Sequence, residues 1–188
     1  MTRKPEKNNE NIAIIGFRNV KIENINTFLE QFRNKTKDVP IQFFDAQKVA
    51  SSQHMYFAAL NTLNAFKKKT NISKNMAVES LLYASAQRQI EKAVNMLGIK
   101  QNSSEVVALI IAKDTHEKDN YIRLVTKTIP GERDDNVVEL TDKKVNTLKK
   151  LFKISDLEFE AKLKKQGLEK EALIDLILER MALLVTKS

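Results

Sequence analysis

Short apolar runs and stretches of helically spaced apolar residues alternate along the chain. The runs Asn11–Phe17 and Ile41–Phe44 predict strands, the first of them buried. Val106–Ala112 predicts a central strand covered on both faces, because its apolar residues follow one another without polar alternation. Ile122–Ile129 fits either a helix or a strand. A brief last strand is predicted from Val137, Val138 and Leu140.

Helices are predicted where apolar residues recur three and four positions apart. Asn24–Lys35 is the first of them, and Ser85–Gly98 is a later one that Gly98 ends. Between the two, a helix is expected to bury the face formed by Phe57, Leu60, Leu63 and Phe66. That helix ends in cations that suit the carboxyl end of a helix dipole, namely Lys67, Lys68 and Lys69.

After that last strand, the remainder of the chain predicts helices alone. Asp142–Lys153 is one, and Ser155 with Glu158 has the spacing of a capping box at the start of the next. The final helix is expected over about Leu168–Val185. These elements predict an α/β fold of the α+β type, in which helices flank a small mixed, largely antiparallel sheet and the C-terminal third is helical.

Composition adds a domain estimate and a charge. The chain has 188 residues, no cysteine and 32 Lys+Arg against 24 Asp+Glu, for a net charge of +8. The length predicts one domain over residues 11–188 after a disordered tail at residues 1–10. The absence of cysteine excludes disulfides, thiolate metal sites and cysteine nucleophiles.

The charge and the hydropathy bear on partners and location. The positive surplus favours polyanionic partners, although an ordinary solvated surface gives the same total. The start of the chain is too polar for a signal peptide, and no apolar run approaches the roughly 20 residues of a membrane helix. A soluble, cytoplasmic protein with no membrane partner is therefore expected.

Catalytic and metal-binding patterns are scarce. The two histidines, His54 and His116, stand far apart, and neither has a second histidine at metal-ligand spacing. Nucleophile-elbow, P-loop and zincin patterns are missing from the sequence. We therefore expect no catalytic residue, no metal and no cofactor. The alternative is an enzyme for a small anionic metabolite, built on His54 and the helix entrance near Ser85.

The entrance of the helix predicted at Ser85–Gly98 is better suited to binding than to catalysis. With Ser85 as N-cap, Gln87 and Arg88 fall in the first turn, where backbone amides and the positive dipole end favour a phosphate. Tyr83 offers a ring that can stack on an unpaired base. From these residues alone, a core tyrosine and an arginine in a surface ion pair are the simpler explanation.

The final helix carries more apolar surface than one core requires. Its apolar residues cover an arc of roughly 220°, about twice what a helix needs to face a single core. Either the chain's own elements cover both sides, or one apolar side meets a partner.

Three segments resemble one protein family. Glu79–Val94, with Leu97-Gly98-Ile99 after it, is similar to the signature of the Cgi-type subunit of the KEOPS tRNA-modification complex, the PRPK-binding protein family. The other two segments are Phe43–Phe66 and Leu176–Leu184, and all three follow the expected order. Ala86 stands where glycine or another small residue is expected. The second segment keeps the family pattern at Asp45, Ala46, Val49, Ser51, His54 and Ala58.

The resemblance implies a function and a set of contacts. Members of this family assist the formation of N6-threonylcarbamoyladenosine in tRNA, bind the Bud-type kinase/ATPase of KEOPS, and are linked to recruiting tRNA through its single-stranded 3′ CCA end. The subunit is not known as an enzyme. The RNA contacts are then expected at Tyr83, Gln87, Arg88, Lys67, Lys68, Lys69 and Lys74. The kinase contacts are expected on the last helix, around Leu176, Met181 and Leu184.

Two more expectations complete this interpretation. An uncovered apolar side on the last helix predicts weak homodimers when the chain is isolated. The frequent use of Lys, Asn and Ile suggests an AT-rich, archaeal genome. A purely structural scaffold, whose positive charge is incidental, is the other alternative to a tRNA-recruiting subunit.

Overall fold

The sheet has four strands, all of them paired antiparallel. The computed structural model describes residues 11–36, 39–163 and 166–186, with the backbone alone for 185–186, so the tail predicted at 1–10 lies outside the described residues. The strand order is β2-β3-β1-β4, which confirms Val106–Ala112 as a central strand. The strands are β1 (Ile12–Arg18), β2 (Ile41–Asp45), β3 (Val106–Ile111) and β4 (Glu132–Arg133).

Eight α-helices surround this sheet within the described ranges. Together with the strands they confirm the predicted fold class, including the helical C-terminal third. The helices are α1 (Ile25–Thr36), α2 (Ser52–Lys68), α3 (Met76–Ser85), α4 (Ile90–Leu97), α5 (Thr115–Thr128), α6 (Asp142–Leu151), α7 (Asp156–Lys162) and α8 (Glu169–Thr186).

Strand β3 explains how the sheet divides two apolar cores. Successive side chains of a strand point to opposite faces, and all six residues of β3 are buried. Val107, Leu109 and Ile111 join the core that α2, α3, α4, α6 and α8 cover. The alternate residues of β3 join the core under α1 and α5, and they are Val106, Ala108 and Ile110.

Helix α2 buries a different face from the one predicted. Phe57, expected in the core, is 38% exposed, whereas Met55, Ala58 and Ala59 are fully buried. The small side chains let α2 lie close to α3, with which it shares its most extensive helix contact. Periodicity favoured the larger apolar residues, although the close helix contact required the smaller ones.

The strand predicted at Val137, Val138 and Leu140 is wrong. Asp134 Oδ1 accepts a hydrogen bond from the N–H of Asn136 at 3.1 Å, and Asp135–Val138 forms a 3-10 turn. Side-chain bonds of this kind compete with the strand ladder. The three apolar residues are nevertheless buried. The ambiguous stretch Ile122–Ile129 belongs to α5, apart from its last residue.

The helix starts predicted in the C-terminal third are largely confirmed. Ser155 and Glu158 form the capping box at the start of α7, with both reciprocal bonds present. Thr141 lies at the N-cap of α6 but makes no side-chain bond there, and α6 ends at Leu151, two residues earlier than predicted. The final helix follows the predicted range closely.

Candidate functional site

The segment predicted as one helix entered at Ser85 is divided between two helices. Ser85 is the last residue of α3, and its hydroxyl donates to the carbonyl of Leu81 at 2.8 Å. Ala86 follows in the left-handed conformation, with φ of 51°, and terminates α3. Glycine adopts this conformation at lower steric cost than alanine does. The N-cap role predicted for Ser85 is wrong, because its hydroxyl bonds back into the preceding helix.

Gln87 and Arg88 therefore lie in the connection between α3 and α4, not in a first helical turn. Helix α4 begins at Ile90, and its N-cap residue, Gln89, makes no side-chain capping bond. Four apolar residues recur at helical spacing on α4, and two of them, Ala93 and Leu97, are buried. The other two members, Ile90 and Val94, are about half exposed, at 49% and 47%. We call the residues Ala86–Gln89 the α3–α4 turn.

His54 lies directly beneath the α3–α4 turn and is fully buried. The backbone N–H of Ala50 donates to its Nδ1 at 3.3 Å, so the ring hydrogen is assigned to Nε2, which donates to the carbonyl of Ala84 at 2.8 Å. Burial lowers the pKa of His54 to about 4, although the bond to Ala84 opposes this shift. A neutral, enclosed imidazole with both nitrogens engaged does not suit the general base that the enzyme alternative requires.

Arg88 joins the α3–α4 turn to the end of the last helix. Its side chain is exposed, and Nη1 donates to the carbonyl of Leu184 in a long bond of 3.4 Å. Leu184 lies in the last turn of α8, where carbonyls lack partners within the helix and a cation is favoured. Arg88, expected to contact RNA, and Leu184, expected to contact the kinase, therefore lie next to each other although 96 residues separate them in the chain.

A cleft of about 330 Å³ opens beside the α3–α4 turn. Its cations come from two more elements, because Lys153 follows α6 and Arg180 lies on α8. Arg180 pairs with Glu158 at 2.6 Å, while Lys153 is exposed. The cleft is lined by Ser85, Ala86, Gln87, Met96, Leu151, Phe152, Lys153, Arg180 and Leu183.

The predicted lysines lie at the opposite end of the α2–α3 pair from Arg88. The two helices run antiparallel, since His54 at the start of α2 contacts Ala84 near the end of α3. Ten residues of α3 correspond to about 15 Å at 1.5 Å per residue. The exposed cations of this far end are Lys67, Lys68, Lys69 and Lys74.

Glu79 organises the loop that carries two of these lysines. Its side chain is fully buried, and its two carboxylate oxygens accept the backbone N–H groups of Ile72 and Ser73 at 3.0 and 2.7 Å. The loop between α2 and α3 begins at Lys69 and contains Lys74. A charged acceptor for two amides is among the stronger hydrogen-bonding arrangements.

Replacement of Glu79 by alanine is expected to lower the free energy of unfolding by about 1–2 kcal/mol, because two backbone donors lose their acceptor. Chemical denaturation measures the loss, and hydrogen exchange at Ile72 and Ser73 locates it. The matched control is Glu91→Ala on the exposed side of α4, which is expected to change stability by less than about 0.5 kcal/mol. Unchanged exchange at both loop amides would contradict this role.

Tyr83 does not offer a stacking surface in this structure. Tyr83 is only 5% exposed and belongs to the larger core. Burial raises the pKa of Tyr83, and the charge of Glu79 adds to this shift while that of Arg88 opposes it. Tyr83 is therefore a core residue, which is the simpler of the two explanations that the sequence allows.

The three residues expected to contact the kinase are also internal. Leu176, Met181 and Leu184 are 7%, 1% and 5% exposed. They pack into the larger core, so the chain's own elements cover these parts of the wide apolar arc on α8. On the same helix Leu183 is 45% exposed and lines the cleft.

The described residues contain neither a metal-ligand cluster nor a membrane-spanning helix. Within residues 11–36, 39–163 and 166–186, no group of three or more His, Cys, Asp or Glu side chains is arranged to hold a metal ion. Across the same described ranges, no helix has the length and apolar character needed to cross a membrane.

Comparison with known proteins identifies the family. The family described as Kinase binding protein CGI-121 matches residues 17–184. The chain belongs to this family. It is also 33% identical over 135 residues to Regulatory protein Cgi121 of Methanocaldococcus jannaschii, an alignment that covers 72% of this chain and 83% of that protein. The CGI-121 match includes the α3–α4 turn, the cleft and nearly all of α8.

The RNA contacts expected from the sequence did not include two cleft residues, Lys153 and Arg180. Arg180 interrupts the apolar arc of α8, and an isolated charge in such an arc signals a specific contact. Lys153 belongs to a lysine-rich stretch that resembles an ordinary solvated helix face. Its φ of 53° shows that it terminates α6 instead, a feature that no apolar periodicity predicts.

Proposed function

We propose that this CGI-121 family chain is a non-catalytic regulatory subunit that binds a Bud-type kinase/ATPase and helps to recruit tRNA. In this proposal the complex is of the KEOPS type and serves the formation of N6-threonylcarbamoyladenosine, and the chain engages the single-stranded 3′ CCA end. The family description supports the kinase partner, and the name of the relative supports regulation.

The observation that carries RNA binding is the arrangement of cations around the cleft. Arg88 on the α3–α4 turn, Lys153 after α6 and Arg180 on α8 come from separate elements and lie at or beside one opening. Apolar walls and the amide of Gln87 accompany them. An unpaired nucleotide combines a phosphate, a flat apolar face and hydrogen-bonding edges, and all three find counterparts there.

The distant lysines favour a polyanion over a small metabolite. The group Lys67–Lys69 and Lys74 stands about 15 Å from Arg88 along α3, too far for one small anion to reach both. A nucleic acid presents a phosphate at every nucleotide and gains affinity from separated cations. This spacing supports tRNA over the enzyme alternative, whose base would be the enclosed His54.

We assign the kinase contact to the exposed side of α8 around Leu183. Leu183 keeps the expected kinase contact on the last helix and replaces the three internal residues, since an exposed leucine can enter a partner's pocket. Leu183 also lines the cleft, so the kinase and the RNA would occupy neighbouring surfaces of the subunit.

Reversal of charge at Arg88 tests the RNA site. Arg88→Glu is expected to weaken binding of tRNA by about tenfold, because one phosphate contact is replaced by a repulsion. The slope of log affinity against log salt concentration is expected to fall by about one. Titrations of labelled tRNA at several salt concentrations, with and without the CCA end, measure both effects.

The matched control is Arg123→Glu, which makes the same charge change on an exposed position of α5, across the sheet. Apart from the effect of the altered net charge, which both variants share, it is expected to change tRNA affinity less than about twofold. Equal affinity for intact tRNA and for tRNA trimmed of its CCA end would contradict recruitment through that end. Unchanged tRNA binding by a complex that lacks this chain would favour the scaffold alternative.

A further inference from the structure

His54 links the two walls of the cleft without reaching its surface. Nε2 bonds the carbonyl of Ala84, two residues before Ala86, and the imidazole packs edge to face with Phe152 at 5.7 Å between ring centroids. Ala86 and Phe152 both line the cleft. We propose that His54 is a positioning residue, which holds the α3–α4 turn in the shape that presents Gln87 and Arg88.

The carbonyl of Ala84 explains why a donor is required at this point. The last carbonyls of a helix have no partner within it. Ala86 and Gln87 donate their N–H groups to the carbonyls of Tyr83 and Leu82, which closes the end of α3. The carbonyl of Ala84 takes no part in these two bonds, and the Nε2–H of His54 donates to it at 2.8 Å.

Loss of this donor would disturb the turn more than the core. A buried carbonyl without a partner costs free energy that a shift of the helix end toward water relieves. Each residue by which α3 lengthens or frays rotates the following chain by about 100°. Such a rotation would turn Arg88 away from Leu184 and Gln87 away from the cleft.

The second ring nitrogen provides a matched comparison. Nδ1 accepts from Ala50, outside the turn. Glutamine at position 54 can offer an N–H near the site of Nε2, whereas asparagine can offer an oxygen near the site of Nδ1. His54→Gln therefore keeps the donor toward Ala84, and His54→Asn keeps the acceptor toward Ala50.

The first readout is hydrogen exchange in the full chain, and it does not involve RNA. We expect exchange at the Gln87 N–H, which donates to the Leu82 carbonyl at 3.0 Å, to rise at least about fivefold more in His54→Asn than in His54→Gln. Denaturation of both variants supplies the global stability against which local opening is compared. If exchange at Gln87 rises equally in the two variants, by the amount that their loss of global stability predicts, the positioning role is overturned.

The second readout is tRNA affinity, and here the inference rests on the proposed function. His54→Gln is expected to bind within about twofold of the unchanged chain, and His54→Asn about fivefold more weakly. His116→Asn, on an exposed position of α5, is the control. If exchange follows the expected order while tRNA affinity stays constant, the RNA role of the turn fails and the positioning of the turn stands.

Discussion

Acidification from pH 7 to pH 4 is expected to lower the free energy of unfolding by about 3 kcal/mol through His54 alone. In the unfolded chain the imidazole takes up a proton near its ordinary pKa of 6.5, whereas burial lowers the pKa of His54 to about 4 in the folded protein. Between these values the unfolded state binds a proton that the folded state excludes. The contribution is therefore fully present above pH 6.5 and is lost as the pH falls toward 4.

Urea denaturation at intervals between pH 7 and pH 4 measures this loss. His54→Gln removes the titrating group while keeping the donor to Ala84, so its stability should change less with pH over the same window. The matched control is His116→Gln, which makes the same substitution at an exposed position of α5. Equal slopes in the unchanged chain and in His54→Gln would show that other groups cause the acid sensitivity.

The strands and most helices were predictable because local signals agree with burial. Val106–Ala112 has an uninterrupted apolar pattern, and β3 is buried on both faces. Ser155 and Glu158 have a spacing that is typical of a helix start, and they form the capping box. The prediction failed where a side chain hydrogen-bonds the backbone in a way that the apolar pattern does not reveal. Asp134 produced a turn in place of a strand.

The candidate site was less predictable, because its geometry depends on contacts between distant segments. The sequence singled out Gln87 and Arg88 but assigned them to a helix entrance, since nothing local reveals that Ser85 bonds back to Leu81. The bond from His54 to Ala84 spans 30 residues, and the one from Arg88 to Leu184 spans 96. Periodicity describes one element at a time and cannot bring such pairs together.

The contact between Arg88 and Leu184 has a consequence for the two proposed ligands. A phosphate bound at Arg88 would compete with a carbonyl at the end of α8 for the same guanidinium. A kinase bound beside Leu183 would act on the same helix end. Either ligand can therefore alter the surface that the other meets, and the two affinities must change each other by the same factor.

Truncation of Met181 is expected to cost about 3 kcal/mol of stability, because its side chain is 1% exposed and fills the larger core. Leu183→Ala, two positions away and 45% exposed, should cost less than about 1 kcal/mol. Urea denaturation of the two variants measures the difference. A loss below about 1 kcal/mol in Met181→Ala would contradict the internal position of this face of α8.

Substitutions at Leu183 also separate a core role from a kinase contact. Leu183→Asp is expected to weaken binding to the kinase at least about tenfold at nearly unchanged stability, since a carboxylate would enter an apolar contact. Leu157→Asp on α7, where the residue is 78% exposed and does not line the cleft, makes the same change and should leave kinase affinity intact. Calorimetric titration of the kinase into each folded variant measures both. If Leu183→Asp binds as tightly as Leu157→Asp, the kinase does not use this side of α8, and another surface of the chain must carry the contact.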